Sequence, residues 1–477
     1  TGVAAIGAWM PARGASRQPP ARALKGGDGD YSVVTRSSAY SGVALLVVGA
    51  ALAPLPPLGG LPLFGYASIG ALLFGAVLLV PSLTVRTLAL TPRTQHIVLD
   101  TAVAQLRENV GLSTLSLASI IVSFSLMVAM AIMVYSFRVS FDHWLGKLLP
   151  ADMQIREAFG NDTAYWSAAE QIKLGAAGGV SRAEFRRTRQ LLLDPNRAPV
   201  MLIARGDSDA QAAAELPLIR HSALPVPTEQ PLAWISEALQ DLYGYKLGDA
   251  IELPLAGVNH RFTVAGVWRD YARSSGSVVM SRPAYIAATG DRSANEGSLW
   301  LEPGANAAAT EAAVRATVLR HGSVEIMTSA GLRERSLQIF DRAFAITYAL
   351  EAIAVIIGLT GVSFAASSVA LARRAEFGAL RHIGMLRRQV VGMLASEGIL
   401  TSTFGVVYGL GLGTALSLVL VFVVNRQSFN WSINLTIPAW QLALLSVTLI
   451  VAAAITATWS GRAAMSQDAV RAVREDW

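Results

Sequence analysis

Glu351 is the one carboxylate well inside a long apolar run. Burying a carboxylate in a bilayer is costly, so such a residue is a functional candidate by default. A second reading puts it near the outer membrane interface, bonded to a neighbouring helix. The residues leave both open. The spans otherwise lack the carboxylate and arginine pairs that ion-driven transporters use as relays, which counts against that class. The six histidines, His96, His143, His221, His260, His321 and His382, are scattered. No H-E-x-x-H, G-x-S-x-G or G-x-x-x-x-G-K-[ST] pattern occurs. Cysteine is absent, which excludes disulfides and thiolate metal sites. The chain is therefore expected to be no enzyme, with no catalytic, metal or cofactor site of its own.

The remaining chemistry is that of a charged surface. Residues 372–397 read ARRAEFGALRHIGMLRRQVVGMLASE and separate two apolar runs, Phe344–Leu371 and Ile399–Val424. Arg373, Arg374, Arg381, Arg387 and Arg388 place this link in the cytoplasm by the positive-inside rule. Phe377, Leu380 and Ile383 or Gly384 recur at helical spacing, with Glu376 and Arg381 on other faces. Gly384 allows a sharp turn, after which Arg387, Arg388 and Gln389 open the next helix. A link that only returned the chain would not need an amphipathic helix. The plainer reading is charged anchors flanking two spans.

The elements that position this link are membrane helices. The 477 residues are 53% hydrophobic and 15% charged, against about 25% charged in soluble domains. The net charge of +6 is dispersed over predicted cytoplasmic loops and reads as topology, not as a nucleic-acid surface. Ser41–Leu58 and Leu61–Val80 form a hairpin of two spans around the turn PLPPLGGLP. Residues 91–109 are an amphipathic entry, and Leu112–Phe137 runs outward. Phe141, Trp144, Leu145 and Leu148 continue its stripe beyond Arg138 and Asp142, and Leu337, Phe340 and Phe344 do the same on the return. These two helices are expected to pack as a stalk.

The stalk carries residues 150–331, an α+β domain on the outer side. Its expected elements are a helix over Pro231–Tyr243, a hairpin whose strands contain Ile251, Leu253 and Leu255, then Phe262 and Val264, a strand over Val278–Met280, a helix over Ala307–Arg320 and a strand over Val324–Met327. Ile399–Val424 and Pro438–Thr458 complete six spans, with Asn425–Ile437 outside and both chain ends inside. Small residues at Gly409–Gly413 would let helices approach closely.

The link resembles the cytoplasmic signature of FtsX/MacB-type ABC permeases, R-x-E-x-G-x-L-R-x-x-G-x-x-R-R-Q followed by E-G. It is read here on Arg374, Glu376, Gly378, Leu380, Arg381, Gly384, Arg387, Arg388, Gln389, Glu397 and Gly398. His382 stands where the family usually has Ala. The run WISEALQDLYGYKLGDAIEL…FTVAGVWRDY is similar to the periplasmic domain of the same family.

The resemblance implies a coupling helix, with Phe377 among its residues, that docks on a separate cytoplasmic ATPase, paired as a dimer, which binds the ATP and Mg. It implies transmission of that motion to the periplasmic domain of a bacterial inner-membrane protein. The cargo classes it implies are hydrophobic molecules, peptides or lipoproteins. A regulator that activates a periplasmic cell-wall hydrolase is the alternative.

Trp9–Lys25 and Trp459–Arg474 each follow an apolar run and end on similar Arg-Ala motifs, a weak repeat alone; the resemblance implies duplicated permeases that end each half with such a short helix, so the chain is expected to be the C-terminal part of one. The expected organisation is the end of a preceding half and a linker (1–38), a transmembrane hairpin (39–87), and an entry helix, span and stalk (88–149). The periplasmic domain (150–331), stalk and span (332–372), coupling region (373–398), two spans (399–460) and tail (461–477) follow.

Overall fold

The computed structural model describes residues 31–91, 97–108, 110–157, 165–221, 230–317, 324–372 and 374–464. The reading of Trp9–Lys25, most of the C-terminal motif and Arg373 lie outside them. Helices α1 (Tyr31–Leu52) and α2 (Leu63–Leu90) form the hairpin. Gly42 and Gly75 face each other, so a Cβ on Gly42 would sit 2.9 Å from the Gly75 carbonyl oxygen. Gly59 and Gly60 supply the left-handed φ angles of 59° and 79° that the turn requires. Helix α3 (Ile97–Glu108) follows, and its Arg107 donates to the Leu88 and Thr91 carbonyls at the end of α2, satisfying acceptors that a helix terminus leaves open.

Helix α4 (Val110–Leu148) is 39 residues long, roughly 58 Å, about twice the hydrocarbon thickness of a bilayer. It delivers the chain straight into β1 (Met153–Glu157) of the α+β domain. The elements that follow are α5 (Ala168–Gly175), β2 (Val180–Leu191), β3 (Val200–Arg205), α6 (Asp209–Ala214), β4 (Leu218–His221) and β5 (Leu232–Ser236). Then come α7 (Glu237–Tyr243), β6 (Ala250–Leu255), β7 (Val258–Trp268), β8 (Ser277–Ser281), α8 (Arg282–Thr289), β9 (Glu296–Leu301), α9 (Ala307–Thr317) and β10 (Val324–Thr328).

The strands form one sheet in the order β10-β1-β9-β2-β3-β8-β5-β7-β4, with β6 paired to β7. Strand β2 joins the two halves. Val180–Arg186 pairs with β9 and Arg187–Leu191 with β3. The hairpin reading holds, with Ala256 and Gly257 turning at positive φ between β6 and β7.

The helix expected over Pro231–Tyr243 is corrected: its first part is strand β5, between β7 and β8. Ala233, Trp234 and Ile235 are all buried, and a short run apolar on both faces carries no period that separates strand from helix. The helix starts only at Glu237, where the Ser236 hydroxyl accepts the Leu239 N–H at 3.2 Å.

The return path is α10 (Ser329–Ala343) and α11 (Ala345–Ala372), bent by 48° at Phe344. Helix α12 (Arg374–His382) follows, then α13 (Arg387–Val419), a π turn (Leu420–Val424), α14 (Asn425–Phe429) and α15 (Ala439–Ala464). Among the described residues, four helices are long and apolar enough to cross a membrane, or five if the bent pair α10–α11 counts as one. Six were expected. The remaining helix is α1, 22 residues long, whose apolar stretch among the fully described residues is Ser38–Leu52.

Helix α15 carries two exposed tryptophans. Trp440 and Trp459 are 78% and 76% exposed and 19 positions apart, roughly 28 Å along the helix, as a pair of interfacial anchors requires.

Candidate functional site

The fold places three structures along one line: a wedge at the arginine-rich end, a tight helix pair in the membrane, and a clamp beneath the α+β domain. In the wedge, α12 leads through Gly384 (φ 108°) into α13. The Leu386 N–H donates to Gln389 Oε1 at 2.8 Å, so Gln389 caps the helix it opens. Phe377 is 2% exposed and packs with Ala102 of α3 and Val390, Met393 and Leu394 of α13, with Leu380 and Met385 against them.

The apolar side of α12 is therefore filled by the chain's own residues. Leu380, which the resemblance places in the coupling signature, is partly buried in this cluster. The surface left open carries Glu376, Arg381, His382, Ile383, Leu386, Arg387 and Arg388, with Ile383 84% exposed. Arg374 lies at the start of α12, and Glu397 is buried within α13. Its neighbour Gly398 lets α15 approach, since a Cβ there would stand 3.0 Å from Ala457 Cβ.

In the membrane, α13 lies on α4 through glycines. A Cβ on Gly405, Gly409 or Gly413 would meet Ile120, Phe124 or Val128 within 3.0 Å, so the two backbones approach as small-residue stripes permit. Glu351 is half-buried on α11. Among the described residues no group of acids and histidines could hold a metal.

At the other end, Phe141, Trp144, Leu145 and Leu148 of α4 share one cluster with Leu337 and Phe340 of α10, and with Phe344 at the bend. Phe137 is the hub, its ring 5.0 Å from Phe340 and 5.6 Å from both Phe344 and Tyr271, distances at which aromatic pairs attract edge to face. Two ion pairs flank the cluster, Arg138–Asp341 at 3.1 Å and Arg333–Asp142 at 2.7 Å. They are half-exposed, so each contributes little beyond alignment.

Sequence reading put Asn425–Ile437 outside the membrane but gave it no task. The structure makes it a second tie between span and domain. Arg426 pairs with Asp241 at 3.2 Å. The Ser432 N–H donates to Glu237 Oε2 at 2.9 Å. Arg269 donates to Ser432 Oγ at 2.8 Å and Asn434 Oδ1 at 3.1 Å, and the Tyr271 hydroxyl donates to the Ser432 carbonyl at 3.0 Å. Burial raises the Tyr271 hydroxyl above its ordinary range, which keeps it a donor. The same strap bonds to α4, with the Asn434 and Thr436 N–H groups donating to Ser140 Oγ and Ser136 Oγ.

Glu237, Arg269, Tyr271, Ser432 and Asn434 were thus missed. One signal was present: residues 430–437, NWSINLTI, alternate polar and apolar as an extended segment does. Trp431 and Ile433 are buried in the aromatic cluster while Ser432 and Asn434 bond sideways.

Residues 113–317 match the model of the MacB-like periplasmic core domain, and residues 348–469 that of the FtsX-like permease C-terminal domain. The chain is 25% identical over 375 residues to an uncharacterised ABC transporter permease protein of Mycobacterium tuberculosis, covering 73% of this chain and 42% of that relative's length.

Among solved structures it is similar to the periplasmic region of MacB from Actinobacillus actinomycetemcomitans, with 14% identity, TM-score 0.30, and 40% of this chain and 94% of that one covered. It is also similar to the extracellular domain of the noncanonic ABC-type transporter YknZ from Gram-positive bacteria, with 13% identity, TM-score 0.27, and 37% and 98% covered.

Proposed function

We propose that this chain, parts of which match the models of the MacB-like periplasmic core domain and the FtsX-like permease C-terminal domain, transmits ATP-driven motion. A cytoplasmic ATPase dimer, which supplies the ATP and Mg sites, pushes on the surface of α12. The membrane helices carry that displacement to the periplasmic-type domain, for export or extraction of hydrophobic molecules, peptides or lipoproteins across a bacterial inner membrane. Both sequence ends of the α+β domain continue directly into membrane helices, α4 into β1 and β10 into α10, and this is the observation that carries the reading. A 39-residue helix shared by membrane and stalk gives such a displacement a continuous path.

Six spans, with α1 as the short one, suit this reading. So does a first permease half elsewhere in the full protein, since the chain spans less than half of the relative it matches.

The wedge geometry supports docking through the open face of α12 and the α12–α13 turn, not through Phe377 and Leu380. Ile383→Asp puts an unpaired carboxylate into that contact, which costs a desolvation penalty on top of the lost apolar burial. It should weaken co-purification of the ATPase by about a hundredfold while leaving insertion unchanged. An ATPase retained at wild-type affinity by Ile383→Asp and by Arg387→Glu together would refute docking on this surface.

A further inference from the structure

A cleft of about 330 Å³ lies where the stalk, the domain and the strap meet, a volume in the range of small-molecule sites. His143 and Lys147, one helical turn apart on α4, line it together with Ile219 of β4, Arg269 and Asn434 of the strap. No carboxylate is among its lining residues.

The basic residues differ in how far they are already engaged. Arg269 is balanced, with Glu237 3.8 Å from its Nε and its terminal nitrogens bonded to Ser432 and Asn434. Asp142, next to His143 in sequence, is held by Arg333 of α10. Lys147 is exposed and, among the described residues, has no carboxylate partner. Its charge is the unneutralised one, and the exposed His143 ring adds a donor beside it.

The cleft also lies close to the level of lipid headgroups. The Thr436 N–H bonds to Ser136 four positions before the exposed Trp440, which sets Ser136 near the outer interface. His143 and Lys147 stand seven and eleven positions farther along α4, roughly 10 and 16 Å, and a headgroup layer is roughly 5–8 Å deep. Helical side chains lean toward the helix N-terminus, and the N-terminal end of α4 is in the membrane. Lys147 can therefore lower its ammonium toward the phosphates, as long cationic side chains do at interfaces.

We propose that this cleft binds the acidic phosphate headgroup of an outer-leaflet phospholipid, with Lys147 meeting its charge and His143 donating to a phosphate oxygen. The cleft is open, not enclosed, as a ligand whose acyl chains stay in the bilayer requires. Binding needs neither the ATPase nor transport, so the site stands apart from the transmission reading. Occupancy would join the stalk, the domain and the strap at their common corner.

The absence of native cysteine gives a test on the whole chain in nanodiscs of phosphatidylcholine with rising phosphatidylglycerol. Ile219 lines the cleft and is 37% exposed, so the rate at which N-ethylmaleimide labels Ile219→Cys reports occupancy. Ile339→Cys, on the exposed side of α10 outside the cleft, reports the general effect of a charged bilayer on labelling. Phosphatidylglycerol should slow Ile219→Cys several times more than Ile339→Cys.

Adding Lys147→Gln should raise the phosphatidylglycerol content needed for half protection about fivefold, the effect of removing one cation near a membrane surface. Lys147→Arg, which keeps the charge, should leave it unchanged. Inorganic phosphate, added to nanodiscs of phosphatidylcholine alone, should not protect. Equal slowing at the two cysteines, or protection indifferent to Lys147→Gln, would overturn the site. Protection by inorganic phosphate that matches that of phosphatidylglycerol would overturn the lipid as its ligand.

Discussion

The two ends of the membrane bundle are fastened in different ways. At the arginine-rich end one buried ring, Phe377, pins a nine-residue helix to α3 and α13, and the outer surface of that helix is charged. At the domain end, rings from α4, α10, the domain and the strap form one cluster, bordered by a polar clamp of Glu237, Arg269 and Tyr271. The open surface around α12 mixes charge with the exposed Ile383 and Leu386, whereas the domain end buries its rings.

The sharpest test of that contrast removes one ring from each end. Phe137→Ala and Phe377→Ala should each cost about 3–5 kcal/mol, the usual effect of deleting a buried aromatic side chain. The consequences should differ. Phe377→Ala should free α12 and abolish ATPase-coupled effects while single-cysteine labelling of the α+β domain stays as in the wild type. Phe137→Ala should raise labelling around the stalk and leave ATPase binding intact. Identical phenotypes would erase the distinction between the ends.

The helix pair that joins the two ends comes next. Gly413→Ala places a Cβ 2.6 Å from Val128 Cβ and 2.7 Å from the Ser125 carbonyl oxygen, an overpacking worth about 1–3 kcal/mol. Gly411 has open space around it, so Gly411→Ala should stabilise the helix by about 0.5–1 kcal/mol. Melting temperatures in nanodiscs should move in opposite directions; a common direction would mean that α4 and α13 are not in close register.

The strap should respond more locally. Glu237→Ala leaves the Ser432 N–H and part of Arg269 without their partner, a loss of about 1–3 kcal/mol. Hydrogen exchange at Ser432 should quicken by roughly tenfold or more, with the sheet unaffected. Unchanged exchange would show that the clamp is held from the α4 side alone.

The smallest effect is a pH dependence away from both ends. Burial pushes the Asp291 carboxyl up, but hydrogen bonds from Ser293 and Tyr285 and the nearby Arg187 more than offset it, so it is held below the usual carboxylate range. A folded-state pKa below the unfolded value stabilises the fold above about pH 3.9, and that contribution disappears as pH falls through the lower folded value. Wild type should therefore exceed Asp291→Asn in stability at neutral pH and converge with it in acid. A gap that persisted in strong acid would assign the difference to packing.

The contrast also explains what was legible. Long apolar runs, the Pro/Gly turn before α2, the aromatic stripe of α4 and the turn at Gly384 are local patterns, each visible within a window of one element. The strap was not, because Ser432 meets Glu237 across 195 positions and nothing local names the partner. Strand β5 was hidden because burial on both faces removes the period. Helical spacing marked Phe377 and Leu380 as an apolar face, but a face does not say what covers it.

The central claim is that displacement at α12 reaches the α+β domain. Spin labels on Arg156→Cys in the domain and Trp459→Cys near the inner membrane interface, in an otherwise cysteine-free chain, measure it by pulsed electron resonance in nanodiscs with the co-purified ATPase. Adding a non-hydrolysable ATP analogue should shift the distance distribution, and Phe377→Ala should cancel the shift while the ATPase remains bound. A distribution unchanged by nucleotide in the intact complex, or a shift that persists in Phe377→Ala, would contradict the account.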